Sequence, residues 1–150
     1  MPTQRSYLFL FLAGLILIGG SLAGCGGSAA PESGHELHMA SLADMPPDVQ
    51  SAPVTVQQSY QFAVANPDVL QHIPCYCGCG AVGHTSNYDC YVAGANADSS
   101  TRFDPHALGC SICVDITQDT MRLLRQGKNV EEIRTYVDGA YAKYGPSNMP

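Results

Sequence analysis

Cys75, Cys77 and Cys79 alternate in the run Pro74-Cys75-Tyr76-Cys77-Gly78-Cys79-Gly80, and thiols at that spacing can converge on one soft metal ion. An extended backbone would put the three sulfurs on one side. Gly78 and Gly80 permit positive φ, so the loop can instead wrap around an ion. Thiolates select zinc or Cu(I), whereas calcium or magnesium would ask for carboxylates. A disulfide between two cysteines one residue apart would be strained, so any disulfide here needs a distant partner.

The next soft donors are His84 and Cys90, followed by His106 and the pair Cys110-Ser111-Ile112-Cys113. Two geometries are open for that last segment. A helix starting at Pro105 puts His106, Cys110 and Cys113 at i, i+4 and i+7, on one face, which suits a metal. A helix starting at Ser111 makes a CxxC at a helix N-terminus, where amides and dipole depress the first thiol's pKa, which suits redox chemistry. The two arms carry more soft donors than one tetrahedral ion needs, so either two ions bind or some cysteines are paired. Six cysteines in an exported chain also fit a three-disulfide scaffold, with 15 possible connectivities. Asp89, Asp104 and Asp115 are candidates to orient the histidines. His72 reads as a surface residue and Met121 as core.

These residues need elements to hold them. Val56, Tyr60, Ala63 and Val64 recur at helical spacing, and Asn66-Pro67-Asp68 reads as a cap restarting a short helix through Ile73, which Pro74 ends. Residues 80 to about 102 read as irregular loop with a short strand at Tyr91-Val92-Ala93. Cys113, Ile116, Thr120, Leu123 and Leu124 form a helical stripe stopped at Gly127. Asn129-Val130-Glu131-Glu132 then caps a second helix carrying Val130, Ile133, Val137, Ala140 and Tyr141. The expectation is a small, mainly α single domain: N-terminal helices and a C-terminal antiparallel helical hairpin flanking a cysteine-rich loop. It would occupy 54–146, with a core small enough to need help from metal or disulfides.

The N-terminus decides where the thiols work. Arg5 precedes the apolar run from Tyr7 to Ile18, and small residues follow up to Cys25, the pattern of a signal peptide over 1–24. Leu22-Ala23-Gly24-Cys25 resembles the bacterial lipobox, which implies that Cys25 is lipidated and is an anchor, not a ligand. The apolar run is shorter than the roughly 20 residues of a comfortable span. Residues 25–53, rich in Gly, Ser, Ala and Pro, read as a flexible tether, with His35, His38, Met39 and Met45 as scattered linker residues. Of 7 Lys+Arg against 13 Asp+Glu, Arg5 leaves with the signal, giving a formal charge near −7 and no basic cluster. Nucleic acid is therefore not an expected partner.

The lipobox together with Ile73-Pro74-Cys75-Tyr76-Cys77-Gly78-Cys79-Gly80, Gly83-His84, Asp89-Cys90 and Gly109-Cys110-Ser111-Ile112-Cys113 resembles the bacterial PCYCGC-motif lipoprotein family, over essentially the whole mature domain. A second resemblance runs from Cys110 to Gly145. The CxxC, Leu123-Leu124-Arg125-Gln126-Gly127-Lys128, Glu132-Ile133-Arg134 and Tyr144-Gly145 are similar to the three-helix thiol-reductase subunit of cytochrome c maturation, which implies Cys110 and Cys113 as a redox pair. The cysteine-rich arm before Cys110 has no counterpart there.

The reading that emerges is an exported lipoprotein, anchored to a bacterial membrane at the cell surface or in the periplasm and not expected to be an enzyme. It would bind Cu(I) or zinc through Cys75, Cys77, Cys79, His84, Cys90, His106, Cys110 and Cys113, for sequestration, sensing or delivery to a protein partner. The alternatives are a thiol-disulfide oxidoreductase or redox partner using Cys110 and Cys113, and an interaction module stapled by disulfides.

Overall fold

The computed structural model describes residues 36–149. The signal, Cys25 and the tether as far as residue 35 lie outside the described residues. Among those described, no helix is long and apolar enough to cross a membrane.

Proline and asparagine divide the first part of the chain into α1 (Pro47–Gln50), α2 (Val54–Ala65) and α3 (Pro67–Leu70). Pro47 and Pro67 each occupy the first helical position, where a missing N–H costs nothing. Asn66 separates α2 from α3 and donates through Nδ2 to the carbonyls of Phe62 and His38, each at 2.8 Å.

The second of those bonds corrects the expected tether. The chain is already folded well before residue 54: Ala40 N–H donates to the Gln61 carbonyl, Gln61 Nε2 donates back to the Ala40 carbonyl, and Met45 and Val49 are buried in the core. The Pro- and Ser-rich composition of this stretch conceals two apolar side chains and side-chain amides that tie it to α2.

After Leu70 a turn carries the exposed His72 and the buried Ile73 into the cysteine loop. The next segment is more ordered than its composition suggests. Strand β1 (Val92–Ala95) pairs antiparallel with β2 (Thr101–Phe103), with Val92 opposite Phe103 and an irregularity between Val92 and Gly94. Only Val92 of β1 is buried, so the alternation that would reveal a half-buried strand is missing. The hairpin delivers Asp104 and Pro105 to α4 (His106–Gly109).

Helix α5 (Ser111–Arg125) follows after one extended residue, Cys110, at φ −123° and ψ 99°. It ends as the glycine anticipates: Gly127 adopts φ +78°, its N–H bonds to the Leu124 carbonyl and the Lys128 N–H to that of Leu123, a Schellman motif. Helix α6 (Val130–Tyr141) opens with a complete capping box between Asn129 and Glu132 and packs against α5. Tyr141 donates its hydroxyl to Asp119 on α5. Helix α2 also lies against α5, where Gln118 donates to Ser59 and to the Thr55 carbonyl. Tyr60, Phe62, Leu70, Ile116, Ile133 and Val137 are all inaccessible to solvent. The architecture is mainly helical, with six α-helices and one small two-stranded sheet among the described residues.

Candidate metal centre

The cysteine loop closes on itself at two glycines. Gly78 (φ +85°) and Gly83 (φ +94°) bracket a single 3₁₀ turn, Cys79–Val82, and nothing lies within 4 Å of where a Cβ would sit at either. Their requirement is therefore conformational, not spatial. The turn holds Cys79 inward and points the chain back so that the His84 N–H reaches the Cys79 carbonyl. A second 3₁₀ turn, Tyr88–Cys90, brings Cys90 beneath it. The extended residue Cys110 lets α5 start afresh, which sets Cys113 in its first turn while His106 stays on α4. The start at Ser111 is thus the one realised, yet His106 still joins both cysteines of the CxxC.

Five sulfurs make a continuous layer. Cys75 Sγ lies 3.5 Å from Cys77 and 3.4 Å from Cys113, and Cys77 lies 3.5 Å from Cys113, closing a triangle. Cys113 lies 3.2 Å from Cys90, and Cys90 3.8 Å from Cys79. Thiolates sharing a tetrahedral zinc at about 2.3 Å would stand about 3.8 Å apart. All six cysteines among the described residues are free thiols, so this layer is not a disulfide framework.

Both histidines face the sulfurs. His106 Nε2 is 3.4 Å from Cys77 Sγ, and the donor atoms of Cys77, His106, Cys110 and Cys113 all lie within 4.8 Å of one another. The same holds for Cys79, His84, Cys90 and His106. His84 is set up as a ligand. Its Nε2 faces the Asp104 carboxylate at 3.5 Å, while its Nδ1 is buried with no hydrogen-bond partner. A histidine grouped with two buried thiols, with one ring nitrogen buried and unpartnered and the other facing a carboxylate, is presented as a metal-binding histidine is. The donor chemistry fits a soft ion.

Protonation follows from the crowding. Hydrogen bonds from Cys113 and Cys90 pull the Cys75 thiol far below the ordinary thiol range. The same contacts push Cys90 and Cys113 up, and burial followed by the nearby charge on Cys75 pushes Cys77 up. A hydrogen bond from Cys90 brings Cys79 down to about 7 against the cost of its burial. Without a cation, negative charge falls on Cys75 and in part on Cys79, while Cys77, Cys90 and Cys113 keep their protons. A bound cation supplies the charge that lets the others ionise.

Every predicted ligand converges here. Of the three aspartates, Asp104 alone takes the orienting role, facing His84 and accepting the His106 backbone N–H at 2.8 Å. Asp89 instead caps the Thr85–Ser86 turn, and Asp115 is exposed. Of the two loop glycines expected to take positive φ, Gly78 does; Gly83, not Gly80, is the second.

Sequence reasoning missed two supports. One is Asn148, near the C-terminus. Its Oδ1 accepts the Cys75 N–H at 2.7 Å, its own N–H reaches the Cys75 carbonyl, and its Nδ2 lies 3.5 Å from Cys79 Sγ. Gly145 lets this strap pass: a Cβ there would sit 3.0 Å from the Tyr76 carbonyl oxygen. The other is a buried polar chain behind Cys113. Tyr91 donates to the Cys113 carbonyl, Thr117 donates to Asn87 Oδ1, and Asn87 Nδ2 reaches the Cys113 carbonyl. The only signal for it was polar residues at core-facing positions of a helical stripe, Thr117 among them.

No curated protein and no solved structure matches the chain. A family model does: the one described as a protein of unknown function with PCYCGC motif matches residues 15–150, from the apolar run through the sulfur layer to the asparagine strap. With the match covering most of its length, the chain belongs to the PCYCGC-motif family.

Proposed function

We propose that this chain is an exported, lipid-anchored protein that binds Cu(I) or zinc through its Cys/His cluster, for sequestration, sensing or delivery to a partner outside the cytoplasmic membrane. The observation that carries it is the convergence of six free thiols and two histidines, one of which, His84, keeps a buried Nδ1 without a hydrogen-bond partner. Proteins do not bury an unpaired ring nitrogen beside ionisable sulfur without return, and a soft cation gives that return. The lipobox supports Cys25 as the anchor, and two acyl chains there would give durable attachment. The C-terminal helices α5 and α6, read as an antiparallel hairpin, would serve as the rigid base from which Cys113 projects.

Protein recovered anaerobically is to be analysed for metal and, after denaturation, for alkylatable thiols. The reading expects copper or zinc bound and six reactive thiols beyond Cys25. Three stable disulfides and no metal would sink it. Replacing Cys25 with Ser is expected to release the protein from the membrane fraction; retention of the variant there would remove the lipid anchor from the account.

One observation favours a second reading, thiol-disulfide exchange at Cys110 and Cys113. Cys110 occupies the N-cap position of α5, half-buried, with its partner one turn on. In such a reaction the Cys110 thiolate attacks a partner's disulfide and Cys113 resolves the mixed disulfide, leaving an oxidised CxxC and two partner thiols. Absence of exchange between the protein and a model disulfide, in the unaltered chain as in Cys110→Ser, would eliminate this reading.

A further inference from the structure

Resting on the metal-binding reading, we propose that the cluster is built for two ions in adjacent Cys₃His sets: an inner ion held by Cys75, Cys79, Cys90 and His84, and an outer, exchangeable ion held by Cys77, Cys110, Cys113 and His106. Counting donors is the first argument. Six thiols and two imidazoles make eight ligands, and a structural soft ion of the zinc type takes four.

Geometry then decides how they divide. Cys77, His106, Cys110 and Cys113 already form a complete four-donor group. His106 commits its Nε2 to that group, 3.4 Å from Cys77 Sγ, so the second group of Cys79, His84 and Cys90 needs another fourth donor. Cys75 is the remaining sulfur, and it lies within 4.8 Å of both Cys79 and Cys90. Each set then contains three sulfurs and one nitrogen, and no donor is left over.

The two sets differ in access. In the inner set Cys75, Cys79 and Cys90 are at most 2% exposed, and the His84 side chain is 11% exposed. In the outer set Cys77, His106 and Cys110 are all half-buried, and Cys113 alone is enclosed. A groove of about 320 Å³, lined by Pro53, Val56, Leu108 and Ser111, opens onto Cys110. A second cleft, of about 400 Å³, is lined by His84 and Asp104 but by none of the inner set's cysteines. An incoming ligand can therefore replace Cys110 or Cys77 stepwise on the outer ion, whereas the inner ion has no such exposed sulfur to give up.

The test is a titration of the full-length, anaerobically purified chain with Zn²⁺ alone, read by native mass spectrometry and followed by challenge with a chelator. Two ions per chain are expected, released in two phases, the first much faster. Cys110→Ser is expected to lower the stoichiometry to one and abolish the fast phase, with helical circular dichroism unchanged. Asp104→Asn, which weakens the support of His84 without removing a ligand, is expected to speed the slow phase by about 10–100-fold and leave the two-ion stoichiometry at saturating metal. One ion per chain in the unaltered protein overturns the inference and leaves metal binding standing, as does release of both ions in a single phase. No ion at all overturns the metal-binding reading itself.

Discussion

The two ends of α5 sit in different kinds of core. Around its C-terminal half, Met121, Leu123, Ile133 and Val137 pack as ordinary apolar side chains, and the helix ends are closed by a Schellman motif and a capping box. Around its first turn the interior is sulfur, backed by Tyr91, Asn87 and Thr117 and bordered by two histidines. Apolar packing stabilises wherever water is excluded. Thiols 3.2 to 3.8 Å apart also gain from burial while protonated, but a thiolate among them is costly until a cation offsets its charge. One end of this small domain is thus closed by apolar packing alone, while the other gathers Cys/His groups that could hold a metal ion.

The largest effect expected from that contrast is on metal removal. Chelation should cost the loaded protein several kcal/mol, because binding to the folded state alone is folding energy. Hydrogen exchange should locate the loss in residues 74–113, with α6 and the end of α5 still protected. Uniform loss of protection would break the comparison. Next in size, Ile133→Ala, at a fully buried apolar position, should destabilise by about 2–5 kcal/mol while leaving the metal bound per folded chain unchanged. A fall in stoichiometry there would show that the two ends are not independent.

A smaller effect is expected at the strap. Asn148→Ala leaves the Cys75 N–H without its acceptor and should cost about 1–3 kcal/mol, with faster exchange confined to the cysteine loop. The smallest concerns Tyr76, whose hydroxyl donates to Asp138 on α6 at 2.6 Å. Tyr76→Phe should cost about 0.5–1.5 kcal/mol near neutral pH. Burial, reinforced by Asp138, pushes the Tyr76 phenol up to about 12. The folded state therefore holds this proton more tightly than the unfolded chain, so its contribution is full below about pH 10 and is lost as pH rises towards 12. Denaturation of both proteins at about pH 9 and about pH 11 should show their stability gap narrowing at the higher value; a gap that widens would contradict the assignment.

Much of the site was legible because soft donors are rare and their spacing is informative. All eight predicted ligands meet, and Gly127, Asn129 and Pro67 mark helix boundaries through local chemistry that a sequence displays directly. What stayed hidden depends on distance in the chain. Asn148 contacts Cys75 across 73 residues, and nothing near Asn148 marks it as a support. The fold of Ala40 to Val49 against α2 depends on side-chain amides of Gln61 and Asn66, which look like any polar helix residues until their partners are in place. The strand expected at Tyr91-Val92-Ala93 is present as β1, one residue later, but its partner β2 escaped notice because none of its three residues is buried. Whether α5 began before or after Cys110 turned on a single extended residue, and helical periodicity carries no such detail.

The central claim is that the sulfur layer exists to hold a soft cation. X-ray absorption at the copper and zinc edges, on protein isolated anaerobically without added metal, tests it most directly. The account predicts a first shell dominated by sulfur at about 2.3 Å with a minority of imidazole nitrogen. A shell of oxygen and nitrogen alone, or no edge from either metal in protein whose six cysteines are oxidised in pairs, would contradict it.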